Sequence, residues 1–179
     1  MALQIFSIIR FKKLKEKIKE LEERPTTTIN NNNTINVYVN NYENTSLEKI
    51  TDKIYNKIIK DADEVYQIIP RMIREIHFNP KIPENHNICL PNRNKNNKHL
   101  QIHRNGHLEI VDKNTEVDNL INDKETNISD WILEKGKNYP EAQEKYNEYL
   151  EQKYDEDTAK LIKNEVELLL YNGRHMIKT

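Results

Sequence analysis

Residues 98–113 read KHLQIHRNGHLEIVDK. Asn105-Gly106 is the strongest short turn signal, because both residue types accept the positive φ that a type I′ turn needs. Apolar residues recur on either side, at Leu100 and Ile102 before it and at Leu108 and Ile110 after it. The stretch predicts a β-hairpin with strands at 99–104 and 107–112. Most of the remaining chain carries helical spacing, so the predicted class is α+β, mainly helical, with a small helical domain around one hairpin.

Downstream of the hairpin, helices are predicted at about Thr115–Asn122, Ile128–Lys135, Pro140–Tyr154 and Asp157–Tyr171. Pro140 suits a first helical turn. Ala159, Ile162, Val166, Leu169 and Leu170 supply the last helix with an apolar face, and Gly173 is placed as its C-cap. Asp155, Glu156 and Asp157 fall at its start, where acidic residues favour the helix dipole.

Upstream, Thr45 and Glu48 have the spacing of a capping box for a helix through about Lys60, with Leu47, Ile50, Ile54 and Ile58 buried. Pro70 interrupts the next helical stretch. A short helix ending near Ile69 and a second from Pro70 to Phe78 are predicted. Residues 77–91, HFNPKIPENHNICLP, then hold Pro80 and Pro83, which disfavour helix in the residues before them. Asn79, Asn85 and Asn87 are predicted to bond their own backbone in turns. HNICL is predicted as a short strand closed by Pro91. The stretch reads as a rigid helix-to-hairpin connector, with His77 and His86 satisfying buried backbone groups.

The first 24 residues predict a helix from about Leu3 to Glu23. Phe11, Leu14, Ile18 and Leu21 are spaced 3-4-3, the a/d seam of a coiled coil. Pro25 ends it. Residues 25–45 form an Asn-rich linker in which Ile35, Val37 and Val39 alternate with polar neighbours as a half-buried strand. Residues 46–179 are the helical domain. The seam predicts a homo-oligomer, as a parallel dimer, trimer or tetramer. An interfacial membrane helix is the alternative for the first segment. Nothing in the chain is apolar over enough residues to span a bilayer.

Composition narrows the functional classes. Of 179 residues, 36% are hydrophobic, 32% are charged and three are Gly. The scarcity of Gly argues against a glycine-rich phosphate loop. One cysteine excludes an internal disulfide and points to a reducing compartment. From Pro70 to Lys113 there are eight Lys/Arg and four Asp/Glu; from Asn114 to Leu170 there are seven and fifteen. A basic middle and an acidic C-terminal third could dock on each other, or the middle could face an anionic partner. Arg71, Arg74, Arg93, Lys95, Lys98 and Arg104 are the candidate nucleic-acid contacts.

Five of the six histidines lie between His77 and His107, with Cys89 among them. A zinc site needs three or four ligands converging on one point. His99 and His103 share a strand face, but His107 sits across the turn opposite Arg104, so the three do not converge. ENHN before a hairpin has the look of a His-Asn-His nuclease. The following helix, however, offers no third histidine. No catalytic residue, metal site or cofactor is predicted.

Three stretches, NNNNTINVYVNNYENTSLEKIT, IREIHFNPKIPENHNICLPN and HRNGHLEIVDKNTEVDNLI, together resemble an uncharacterised coiled-coil protein family of giant, nucleocytoplasmic large DNA viruses. The resemblance spans roughly residues 12–135, and IHFNPKIPENHNI is its most specific piece. Many members carry an N-terminal C2H2-type zinc finger. No cysteine precedes Cys89 here, so that finger is absent from this sequence. The resemblance carries no catalytic residue with it. It implies a viral protein of the host cytoplasm or the virion. The heavy use of Asn, Lys and Ile agrees with an AT-rich genome. The function expected is a non-enzymatic interaction or scaffold protein acting through its oligomer and a protein partner not named by the sequence. The alternatives are nucleic-acid binding through the basic middle, and metal-dependent nuclease activity at His86.

Overall fold

The computed structural model describes residues 37–94 and 96–177. The predicted N-terminal helix with Phe11, Leu14, Ile18 and Leu21, the start of the predicted strand at Ile35, and Lys95 lie outside the described residues. The chain divides into two compact units, Met1–Tyr38 and Val39–Thr179. All regular elements among the described residues belong to the second. Val37 to Asn40 carry no strand pairing. Residues 40–45, read from sequence as the end of the linker, belong to the second unit.

Five α-helices and a three-stranded antiparallel sheet make up this unit: α1 (Asp52–Lys60), α2 (Ile68–His77), β1 (Ile88–Cys89), β2 (His99–Arg104), β3 (His107–Asp112), α3 (Lys113–Lys135), α4 (Pro140–Gln152) and α5 (Glu156–Asn172). The sheet order is β1-β2-β3. Asn105 at φ 52° and Gly106 at φ 83° make the predicted turn, and Arg104 pairs with His107 through to His99 with Asp112. HNICL supplies the expected short strand: Ile88 pairs with Ile102, and Cys89 with Gln101.

The core is organised around α2. Ile68, Ile69, Met72, Ile73 and Ile76 are all fully buried, and α2 packs against α1, α3 and α5. Burying each such side chain contributes about 1.5–3 kcal/mol. Pro70 does not divide this stretch into two helices. A 3-10 turn at Val65–Gln67 leads into one helix, and Pro70 is the third residue of that helix. There its missing N–H is one of the first-turn donors that have no intrahelical partner anyway.

Helix α1 begins at Asp52 rather than after Thr45. The Thr45 hydroxyl is committed elsewhere: it donates to the Tyr42 carbonyl at 2.7 Å and accepts from Asn87 Nδ2 at 2.9 Å. A tertiary bond has taken the oxygen that the capping box needed. Tyr55 on α1 stacks on Trp131 of α3, with ring centroids 5.2 Å apart, and Trp131 Nε1 donates to Asp52 Oδ1 at 2.9 Å.

The two helices predicted at 115–122 and 128–135 are one, α3. Val117, Leu120, Ile121, Ile128 and Trp131 form its buried stripe, and Lys124 occupies a place in that stripe where an aliphatic residue is expected. No Gly or Pro interrupts residues 113–135, so backbone propensity carries the helix through.

The last two helices follow the sequence closely. Tyr146 and Tyr149 are buried on α4. Asp155 caps α5 by accepting from Thr158 N at 3.1 Å, with Glu156 and Asp157 in the first turn. Ile162, Val166 and Leu170 are its buried face. Gly173 follows it as expected, but for a different reason. Its backbone is right-handed helical rather than left-handed. The absence of a side chain is required because a Cβ there would collide with the Phe78 ring.

Among the described residues, Lys113–Glu167 is the ion pair that joins the basic middle to the acidic third. Apolar packing of α2 on α5 joins the two regions as well. No helix among the described residues is long and apolar enough to cross a membrane.

Candidate functional site

The connector at 77–91 clamps the segment formed by residues 40–46. Asn85 is fully buried, and its Oδ1 accepts from Asn40 Nδ2 and from Ser46 N, each at 3.0 Å. Its Nδ2 donates to the Ser46 carbonyl at 2.7 Å. Asn40 N donates to the Glu84 carbonyl at 2.7 Å. At the far end, Asn105 N donates to Asn41 Oδ1, and Arg104 bonds Glu43. A short polar segment is thereby fixed from two separate parts of the chain, the connector and the hairpin.

Asn79 makes the expected local turn, accepting from Lys81 N at 2.9 Å. Asn85 and Asn87 depart from expectation. Their side chains reach across to residues 40–46 instead of closing their own turns.

The histidines also divide. His86 places Nε2 at 3.0 Å from the Asn79 carbonyl oxygen, the backbone role expected for it. His77 bonds a side chain instead, with Nδ1 at 2.9 Å from Asn87 Oδ1. The network determines its tautomer. Thr45 donates to the Tyr42 carbonyl, so it accepts from the Asn87 amide. Asn87 therefore turns its oxygen to His77, and His77 Nδ1 carries the proton. Nε2 is left as a bare acceptor, buried and with no partner among the described residues. Burial, reinforced by the Lys124 charge, pushes the His77 pKa down to about 3. The ring is neutral at physiological pH.

A cleft of about 220 Å³ lies beside the clamped segment. Tyr42 and Leu47 form one side; Glu116, Asn119, Asp123 and Asn127 form the other. The 3-4-4 spacing places those four on one face of α3. Lys124 also lines the cleft. Its side chain is 3% exposed, and Nζ reaches Asp123 Oδ2 at 2.5 Å. Burial lowers its pKa and the Asp123 carboxylate partly offsets this. Burial and the neighbouring Glu116 raise the Tyr42 phenol, so it stays protonated and can donate. Tyr42 in turn lies against His77, with ring centroids 6.0 Å apart. The cleft thus offers donors and acceptors of both charges to a small polar group or a side chain of a partner.

The predicted cations are dispersed in their roles. Arg104 is committed to Glu43 and to Glu109, the latter at 2.7 Å. Arg74, Arg93 and Lys98 are exposed and Arg71 is half-buried. Of the hairpin histidines, His107 pairs opposite Arg104 as expected. No three His, Cys, Asp or Glu side chains among the described residues are placed to hold a metal ion.

The clamp and the cleft were hidden from sequence reading, although one signal for the cleft was present. Lys124 breaks the apolar register of α3, and a broken local rule often marks a special site. The clamp had no such signal, since its partners are about 40 residues apart. Comparison with protein-family models, curated proteins and solved structures finds no match to this chain.

Proposed function

We propose that the protein is an oligomeric, non-enzymatic interaction module of a large DNA virus, acting in the host cytoplasm or the virion. The N-terminal seam of Phe11, Leu14, Ile18 and Leu21 joins several copies. Multivalency then raises the effective concentration of the second unit for its partner. The observation that carries this reading is the clamp on residues 40–46. A displayed domain benefits from a fixed attachment point, and buried asparagines at 85 and 87 provide one on the domain side. Light scattering on the full chain tests it. A defined oligomer is expected, falling to a smaller mass when Leu14, Ile18 and Leu21 are changed together to Gln. A wild-type monomer at high concentration overturns the reading.

A second reading is nucleic-acid binding. It is supported by Arg74, Arg93 and Lys98, which are exposed and make no ion pair with described residues. Binding to duplex or single-stranded DNA should weaken steeply with salt and fall further in Arg71→Ala/Arg74→Ala. Salt-independent or undetectable binding removes it.

A further inference from the structure

Among the described residues, the outer edge of β3 is open. β3 pairs with β2, and no other strand among the described residues joins it. Two bonds show which of its residues face outward. Lys113 N donates to the Lys98 carbonyl, and His103 N donates to the Asn87 carbonyl on the β1 side. With the observed register, His107, Glu109 and Val111 therefore turn their backbone groups to β2, and Leu108, Ile110 and Asp112 turn theirs outward.

This edge has few of the devices that usually guard one, and its outward carboxylate, Asp112, lies at the end of the strand. It contains no Lys, no Pro and no bulge. The central outward residue is Ile110, 68% exposed. The opposite end of the sheet is covered: Leu90 N, just after β1, donates to the Leu170 carbonyl of α5.

We propose that β3 pairs antiparallel with β3 of a second copy of this chain, on a two-fold axis through Ile110. In this register Ile110 faces its own symmetry mate as a hydrogen-bonded pair, and Leu108 faces Asp112 of the other copy. Parity allows this register, because both members of each hydrogen-bonded pair are outward residues, and centring it on Ile110 covers the most exposed apolar side chain of the strand. The Ile110 pair forms two backbone bonds. Each Asp112 N–H adds one to the opposing Leu108 carbonyl. None of these uses the Asp112 carbonyl, which sits at the N-cap of α3. The contact uses the same patch on both copies, closes on itself and leaves neither β3 edge open. The two exposed Ile110 side chains cover each other across the axis.

The interface is separate from the Phe11–Leu21 seam, though it rests on the reading that copies of this chain associate. Ile110→Cys in a full-length Cys89→Ser background tests it. The Cα separation of a hydrogen-bonded antiparallel pair, about 5.5 Å, lies within disulfide range. Mild oxidation is expected to give a covalent dimer. Leu108→Cys, on the same face but out of register with itself, is expected to stay unlinked. Ile110→Pro removes an outward N–H without touching the β2 ladder. It should abolish the slowed hydrogen exchange expected at Asp112 while leaving the exchange of Glu109 and Val111 unchanged. No linkage at 110, or equal linkage at 108 and 110, overturns the proposal. The two interfaces fail separately. Without the edge contact, light scattering still reads a seam oligomer while Ile110→Cys stays unlinked. Without the seam, Ile110→Cys still links and the Leu14/Ile18/Leu21→Gln variant keeps the wild-type mass.

Discussion

His77 and Asn87 share one buried hydrogen bond, with ring Nδ1 2.9 Å from amide Oδ1. It joins the end of α2 to the connector and fixes the tautomer of the ring, while burial keeps the ring neutral. The sign of the pH effect follows. In the unfolded chain a histidine binds a proton below about pH 6.5. In the fold, His77 resists protonation down to about pH 3. The unfolded state therefore binds more protons across that window, and stability rises with pH through it. The full contribution is present above pH 6.5 and is lost progressively as pH falls. Urea denaturation at pH 7.5, 6.0 and 5.0 should show a loss approaching about 1.4 kcal/mol per pH unit at the lower end. His77→Phe should flatten that dependence. An unchanged slope in the variant would assign the effect to other groups.

Lys124 occupies a core place in α3 and brings its charge out to Asp123. Its partner Asp123 is largely exposed, so removing the amine strands no buried charge and relieves the cost of burying one. Lys124→Met is therefore expected to leave stability unchanged or raise it by about 1–2 kcal/mol. The denaturation midpoint measures it. A clear loss of stability would mean that the amine holds the cleft wall together.

Gly173 stands where a Cβ would strike the Phe78 ring. Gly173→Ala should cost about 1–3 kcal/mol, the usual effect of overpacking. Adding Phe78→Leu should recover part of that loss, since the smaller side chain yields the space. Thermal melts of the two single variants and the double variant give the coupling. Additive losses would show that the two residues do not compete for one volume.

Asn85 ties down Asn40 and Ser46 with three bonds. Asn85→Ala strands the Ser46 backbone groups, each worth about 1–3 kcal/mol when left unpaired in a buried site. The damage should be local first. Limited proteolysis is expected to cut within residues 40–46 under conditions that leave the wild type intact, and hydrogen exchange at Asn40 and Ser46 should speed up. Uniform loss of protection across α2 would mean instead that Asn85 supports the whole core.

Sequence alone determined the parts governed by local rules. Asn105-Gly106 dictated the hairpin and its register because few residue pairs accept that backbone. Pro140, Asp155 and the apolar spacing of residues 162–170 located two helices by capping and periodicity. HNICL announced its strand in the same way. Tertiary structure decided what depended on distant partners. Thr45 left its capping box for Asn87, 42 residues away. Asn85 and Asn87 abandoned local turns for residues 40–46. Gly173 is required by a ring that precedes it by 95 residues, not by its own φ. Lys124 hid a continuous helix because burial of its stem is a matter of packing, which periodicity does not register. For Thr45, Asn85 and Asn87 the side chain had a local use and a better distant one. The choice fell to the distant one because a buried polar group without a partner costs more than a local bond contributes.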